Sequence, residues 1–276
     1  MNTNRYIIVT GAGGSIGSAI TRSLAHEGHN VIMACRNVAK DTPLCQEIDK
    51  EYPGTVTIMQ LDLASLDSIK SFADNIKDKG YAIEALINNA GVMNKEYRTT
   101  HEGYEMTIGV NFLGTYLLTE LLLPTIVDGG SITFTTSLTR YIGTVDEHFF
   151  DLTADNYGRF RAYSRSKLAT TLYTAHLAQK LSTRNIHVNA ADPGVVDTGM
   201  IRMDAWFDPL ADKLFRPIIS TPRQGALSAL TAYRTPCSGE IFEKTRHHAI
   251  PKRLRQHRYT SWLIAEAERL TTQWRR

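Results

Sequence analysis

Cysteine is scarce in this chain. Cys35, Cys45 and Cys237 are scattered over 276 residues, odd in number and without a CxxC pair. That spacing excludes a disulfide framework and offers no zinc-ligand pattern, so a reducing, cytoplasmic setting is expected. An excess of one charge is also missing. The formal net charge is +3, too small to argue for nucleic acid, and no such partner is expected. Long apolar runs are lacking as well. Tyr6–Val9 is only a strand in length, so no secretory signal is expected there. The run around Leu121–Leu123 is broken by Pro124. It falls short of the roughly 20 apolar residues that span a bilayer, so no transmembrane segment is expected. Repeats, low-complexity tracts and linkers are absent too. With 42% hydrophobic residues, enough for a sizeable core, the chain reads as one domain over 1–276.

What is present is a steady alternation of strand and helix signals. Arg5–Thr10 is a β-branched run that ends in a glycine loop. Ser15–His26 carries Ile16, Ala19, Ile20 and Leu24 at helical spacing and stops at Gly28. Strands are expected at 30–35, 56–61, 83–88, 131–136 and 186–191. Helices are expected at 65–77, 102–123 and 161–181. Beyond residue 194 the pattern loosens. A helix near 223–233, a short strand at 239–242 and a helix near 261–273 close the chain. Such alternation predicts an α/β fold with a doubly wound parallel sheet. Ligands in such sheets bind beyond the C-terminal strand ends, at the switch in strand order. The unusual residues fall at those ends: Gly11, Arg36, Asp62, Asn88–Gly91, Ser137 and Pro193.

A strand, then Gly11, Gly13, Gly14 and Gly17, then a helix opened by Ser15 and Ile16, describes a phosphate cradle. Glycines let backbone N–H groups approach a pyrophosphate, and the helix N-terminus favours its charge. An ordinary glycine-rich turn or a methyltransferase loop fits the same run. A Walker A loop does not, because no Gly-Lys-Ser/Thr follows. Arg36 at the end of the second strand, where an acid would hold ribose hydroxyls, suits a 2′-phosphate instead. Its other reading is a solvated arginine. NADP(H) is therefore the expected cofactor, with NAD(H) possible.

Tyr163 and Lys167 stand four residues apart on one helix face. A tyrosine pKa near 10 must fall for proton transfer at neutral pH, and a neighbouring ammonium lowers it. With 12 tyrosines and 11 lysines the spacing is weak evidence by itself, since roughly half a chance match is expected. Its place after the fifth strand adds weight. Ser137 is either a holder of the substrate oxygen or a helix cap. Asn111 is a poor helix former, so a kink, a surface position or a site role remain open. Asp62 either bonds adenine or caps the helix near Ser65.

Taken in order, these residues resemble the short-chain dehydrogenase/reductase family in its single-domain branch, over residues 5 to about 245. The resemblance implies a Rossmann-type sheet of about seven strands. It also implies a catalytic tetrad of Asn111, Ser137, Tyr163 and Lys167. Tyr163 would be the general acid/base, Lys167 would also hold the nicotinamide ribose, and Asn111 would help hold a relay water. Pro193-Gly194 with Thr198 matches a PGxxxT motif whose threonine binds the carboxamide. Asp62, Leu63, Asn89 and the neighbouring Gly91 would line the cofactor site. Ala34-Cys35-Arg36-Asn37 and the 26-residue interval from Ser137 to Tyr163 are similar to the retinol-dehydrogenase-like subgroup. Two departures stand out. Ser15 replaces a family glycine, and Gly14 stands where many NADP(H) members carry a basic residue. Family habit implies a homodimer or homotetramer.

Residues 194–222 are rich in large apolar side chains, among them Trp206, Phe207 and Phe215. They are expected either to form a lid over a hydrophobic substrate or to pack in a core or subunit contact. The C-terminal part, about 244–276, opens with a basic segment. No acid lies between Glu243 and Glu266. A solvated or subunit-facing patch is expected there, ahead of a lipid or nucleic-acid contact. The expected activity is hydride transfer between a nicotinamide and a small alcohol or carbonyl compound. The alternative is a dinucleotide-binding sensor or scaffold on the same fold, and the complete tetrad argues against it.

Overall fold

Strand and helix alternate as the sequence pattern requires, and the sheet they build places the glycine loop at its centre. The computed structural model describes residues 4–194 and 221–275. The strands are β1 (Arg5–Thr10), β2 (Val31–Cys35), β3 (Val56–Gln60), β4 (Ala82–Asn88), β5 (Ile126–Thr135), β6 (His187–Asp192), β7 (Glu240–Glu243) and β8 (Arg246–Ala249). The helices are α1 (Ser15–His26), α2 (Val38–Glu51), α3 (Leu66–Asp78), α4 (Met106–Ile108), α5 (Thr115–Leu122), α6 (Arg159–Lys180), α7 (Pro222–Arg234), α8 (Lys252–Arg255) and α9 (Thr260–Thr271). The strand order is β3-β2-β1-β4-β5-β6-β7-β8. Neighbours pair in parallel except β7 and β8, which are antiparallel. The order reverses between β1 and β4, so their C-terminal ends flank the crevice where such sheets bind ligands.

Every residue of β2 is buried, as expected for a strand covered on both faces. One face packs on α1, α2 and α7 through Ile20, Leu24, Ile48 and Ala229. The other packs on α3, α5, α6 and α9 through Phe72, Leu117, Tyr173 and Leu263. The two layers of helices remove the sheet from water, and this burial is the main stabilising term.

Four features differ from the sequence reading or add to it. First, α2 fills the interval between β2 and β3. Asn37 caps it by accepting from the Lys40 N–H at 3.0 Å, but Pro43 lies inside it and only Cys45 and Ile48 are buried. Second, the expected helix over 102–123 is not uniform. Glu105 opens α4 by accepting from the N–H groups of Thr107 and Ile108 at 2.9 and 2.8 Å. The chain then widens into a π-type turn over Gly109–Gly114 before α5. Third, Met106–Thr125 is long and apolar enough to cross a membrane by length and composition, contrary to the expectation from Pro124. Yet 89% of its apolar window is buried inside the protein, the mark of a core helix. Fourth, the sheet, expected at about seven strands, has eight. The eighth is β8, part of the basic segment, and all of its residues are exposed.

Candidate active site

The glycine loop forms where β1 leaves the sheet. Gly11 has φ +62°, and a Cβ there would come within 3.0 Å of the Ala90 Cα. At Gly17 a Cβ would meet the Gly11 carbonyl oxygen at 2.2 Å, so α1 packs directly on the loop. Gly14 is the N-cap of α1, and no side chain caps that end. The first amides of α1 therefore remain available to an anion. Ser15 is exposed at this open end rather than wedged beneath it, and Ile16 is half-buried.

The end of β4 is tied to the end of β1. Asn89 Nδ2 donates to the Thr10 carbonyl at 2.9 Å, and the Ala90 N–H donates to Thr10 Oγ1 at 3.0 Å. Arg36 lies exposed at the end of β2. Asp62 is half-buried after β3, and its Oδ1 accepts from the Ala64 N–H at 2.9 Å, so its carboxylate already braces its own loop. The Leu63 side chain is buried in the core.

The proton-transfer candidates gather where β5, β6 and α6 meet. Tyr163 and Lys167 are one turn apart on α6, and Lys167 Nζ stands 5.5 Å from the Tyr163 ring centroid. Ser137 follows β5, and its hydroxyl lies close enough to Tyr163 to pull the tyrosine pKa down. Ser137 Oγ also accepts from the Thr139 N–H at 3.3 Å and caps the turn Leu138–Tyr141, as the cap reading expects. Lys167 is only 3% exposed and donates to the Thr135 carbonyl at 2.8 Å. Burial pulls its pKa down to about 8, against the opposing pull of Asp192. Burial pushes Tyr163 up to about 12, opposed by the Ser137 hydroxyl and aided by Asp192. Desolvation thus dominates, and the lowering expected from the lysine is not among the causes of the shift.

Asn111 sits in the π-type turn and is neither exposed nor a simple kink. Its Oδ1 accepts from the Val92 N–H at 2.8 Å. Its Nδ2 donates to the Val92 carbonyl at 2.9 Å and to Ser166 Oγ at 3.1 Å. Gly91 lies in front: a Cβ there would be 3.4 Å from Asn111 Oδ1 and 3.5 Å from Lys167 Nζ. π-type turns often occur at functional sites. Pro193 and Gly194 close β6 at the same end of the sheet. Thr198 and most of the expected lid lie outside the described residues.

Two groups were not read from the sequence. Arg140 and Asp192 form a buried pair, Nη1 to Oδ2 at 2.6 Å. Asp192 Oδ1 also accepts from the Gly194 N–H at 3.0 Å. Leu138 and Ile142, 58% and 73% exposed, follow Ser137, and Phe160, 55% exposed, precedes Tyr163. Apolar residues at sequence positions flanking Ser137 and Tyr163 were the available signal for these.

The short chain dehydrogenase family model matches residues 5–205. Human polyprenol dehydrogenase is 37% identical over 243 residues, covering 84% of this chain and 73% of that protein. Human retinol dehydrogenase 12 is 34% identical over 262 residues, covering 92% of this chain and 82% of that protein. A solved structure of an uncharacterized protein from Mycobacterium Paratuberculosis superimposes with a TM-score of 0.77 at 28% identity, covering 98% of this chain and 93% of that one.

Proposed function

The chain belongs to the short-chain dehydrogenase/reductase family, in its retinol-dehydrogenase-like subgroup, and we propose that Tyr163, Ser137, Lys167 and Asn111 carry out its reaction. It is an NAD(P)-dependent oxidoreductase acting on CH–OH or C=O groups. The residues at the sheet's switch point fit a dinucleotide. Cβ atoms at Gly11 and Gly17 would collide with Ala90 and with the Gly11 carbonyl, so only glycines keep this loop shape, and the N-terminus of α1 lacks a side-chain cap. Gly13, Ser15, Ile16, Asn89 and Gly91 complete the proposed cofactor surface, with Asp62 and Leu63 on its adenosine side. When bound, the nicotinamide supplies the carbon that gives or takes hydride.

In reduction, Ser137 Oγ–H and Tyr163 Oη–H both point to the carbonyl oxygen, and Tyr163 gives up its proton as that oxygen gains charge. In oxidation, Tyr163 takes the proton back. Lys167, held by the Thr135 carbonyl, supplies positive charge beside the tyrosine ring. Asn111 fixes the Val92 backbone next to them. The Ser137 hydroxyl set against Tyr163, where it opposes the upward push of burial on the tyrosine, with Lys167 buried on the same helix face, is the observation that carries this reading.

Arg36, exposed at the β2 end, supports a preference for NADP(H). Exposed Leu138, Ile142 and Phe160 beside Ser137 and Tyr163 support a hydrophobic alcohol or carbonyl substrate. The free thiols Cys35, Cys45 and Cys237 support a reducing compartment. We read the assembly as a homodimer or homotetramer; light scattering at working concentration tests this, and a monomer overturns it. The central test is Tyr163→Phe. Turnover of hydrophobic aldehydes with NADPH should fall by about a thousandfold, while NADPH binding by fluorescence titration holds. Retained turnover overturns the assignment.

A further inference from the structure

The chain leaves β2 at Cys35 and enters α2 through Arg36 and Asn37. In the first turn of α2, Asp41 sends its carboxylate back to the glycine loop. A Cβ on Gly13 would lie 2.2 Å from Asp41 Oδ2, so the carboxylate fills the space that a side chain at position 13 would take. The Cys35 thiol lies beside the same carboxylate, close enough to feel its charge. Burial and this anion push the thiol pKa up to about 12, so it stays neutral. Asp41 has no ion-pair partner among the described residues, and Arg36 and Lys40 are both exposed. One anion therefore sits at the loop, beside the strand end where Arg36 offers a cation.

These two charges ask for different ligands. A carboxylate accepts hydrogen bonds from ribose hydroxyls and repels a phosphate at the 2′ position. A guanidinium attracts that phosphate. We propose that Asp41 faces the adenosine ribose and opposes Arg36, so that this site accepts NAD(H) beside NADP(H). The proposal rests on the dinucleotide reading above. Gly13 is part of the arrangement, because any larger residue there would displace the carboxylate. Asp41, rather than a residue at the β2 end, is then the acid that reads the ribose.

The test is fluorescence titration of NADPH and NADH on the full chain, comparing wild type with Asp41→Asn. Asparagine keeps the shape beside the Cys35 thiol but removes the charge. The NADPH Kd should fall by about tenfold, while the NADH Kd stays level or rises. Asp41→Ser is the second variant, should Asp41→Asn melt early, and it too should tighten NADPH while leaving NADH level or weaker. Equal changes for both cofactors, or none, overturn the role of Asp41 and leave the oxidoreductase reading standing. Failure of the wild type to bind either dinucleotide overturns both.

Discussion

Arg140 Nη1 meets Asp192 Oδ2 at 2.6 Å, with the two side chains 0% and 3% exposed. The pair joins two strand ends that matter. Arg140 closes the turn that Ser137 opens, its N–H donating to the Ser137 carbonyl at 3.0 Å. Asp192 precedes Pro193 and accepts from the Gly194 N–H. The clamp therefore fixes the serine relative to the turn after β6. Arg140 Nη2 reaches the Tyr141 hydroxyl at 3.3 Å and Glu243 at 3.5 Å, while its buried Nε has no partner among the described groups.

A buried pair adds little net stability, but removing one partner strands the other's charge. Arg140→Ala should cost about 3–5 kcal/mol in urea unfolding. Arg140→Met combined with Asp192→Leu should recover most of that loss, less about 1 kcal/mol for the Gly194 N–H left without its acceptor. If the single and double variants unfold alike, the cost is one of packing rather than charge.

That clamp also shows where sequence reasoning stops. β1, α1 and the glycine loop were legible because apolar periodicity changes from two to helical spacing at a glycine cluster. Tyr163 and Lys167 were legible because their spacing on a helix is itself the geometry. Arg140 and Asp192 are 52 residues apart, and nothing in one sequence pairs a given arginine with a given aspartate. α2 was hidden by Pro43 and by burying only two side chains. β8 was hidden because all four of its residues are exposed, which leaves no alternation to read. The π-type turn at Asn111 has no periodic signature either; its one signal was an asparagine inside an apolar helix.

Lys167 links stability to activity through pH. Its folded pKa of about 8 lies below the usual 10.5, so the unfolded chain binds the proton more tightly between these values. Stability should therefore rise as pH increases from about 8 towards 10.5, and the cost of burying the charge is fully present below 8. Lys167→Met should raise Tm by a few degrees at pH 7 and abolish turnover. The catalytic limb follows the same group. Carbonyl reduction should be level below pH 8 and decline above it as Lys167 loses its proton. Lys167→Arg should remove that decline even where the rate is lower, because arginine stays charged. A decline unchanged in Lys167→Arg would assign it to another group.

Asn111 makes both of its amide ends work on Val92. Asn111→Ala would leave the half-buried Val92 N–H and carbonyl without this partner, at a cost of about 2 kcal/mol. Because Val92 follows Gly91, which faces Lys167, the same change should lower kcat by about tenfold more than it raises the aldehyde KM. Chemical unfolding and steady-state kinetics on one preparation check both. A stable variant with full kcat would remove Asn111 from the site.

The glycine loop separates shape from hydrogen bonding at two nearby positions. Gly17→Ala puts a Cβ 2.2 Å from a backbone oxygen, the Gly11 carbonyl, which cannot swing aside as a side-chain tip could. The loop must shift off α1, so dinucleotide binding should be lost and Tm should fall together. Ser15 is exposed at the uncapped end of α1, so Ser15→Ala removes a hydroxyl without moving the backbone. It should leave Tm unchanged and weaken dinucleotide binding by about fivefold, the worth of one hydrogen bond near a phosphate. If Ser15→Ala binds as well as wild type, the amides of α1 suffice for the pyrophosphate. If Gly17→Ala binds as well, the cradle lies elsewhere and the cofactor assignment to this loop fails.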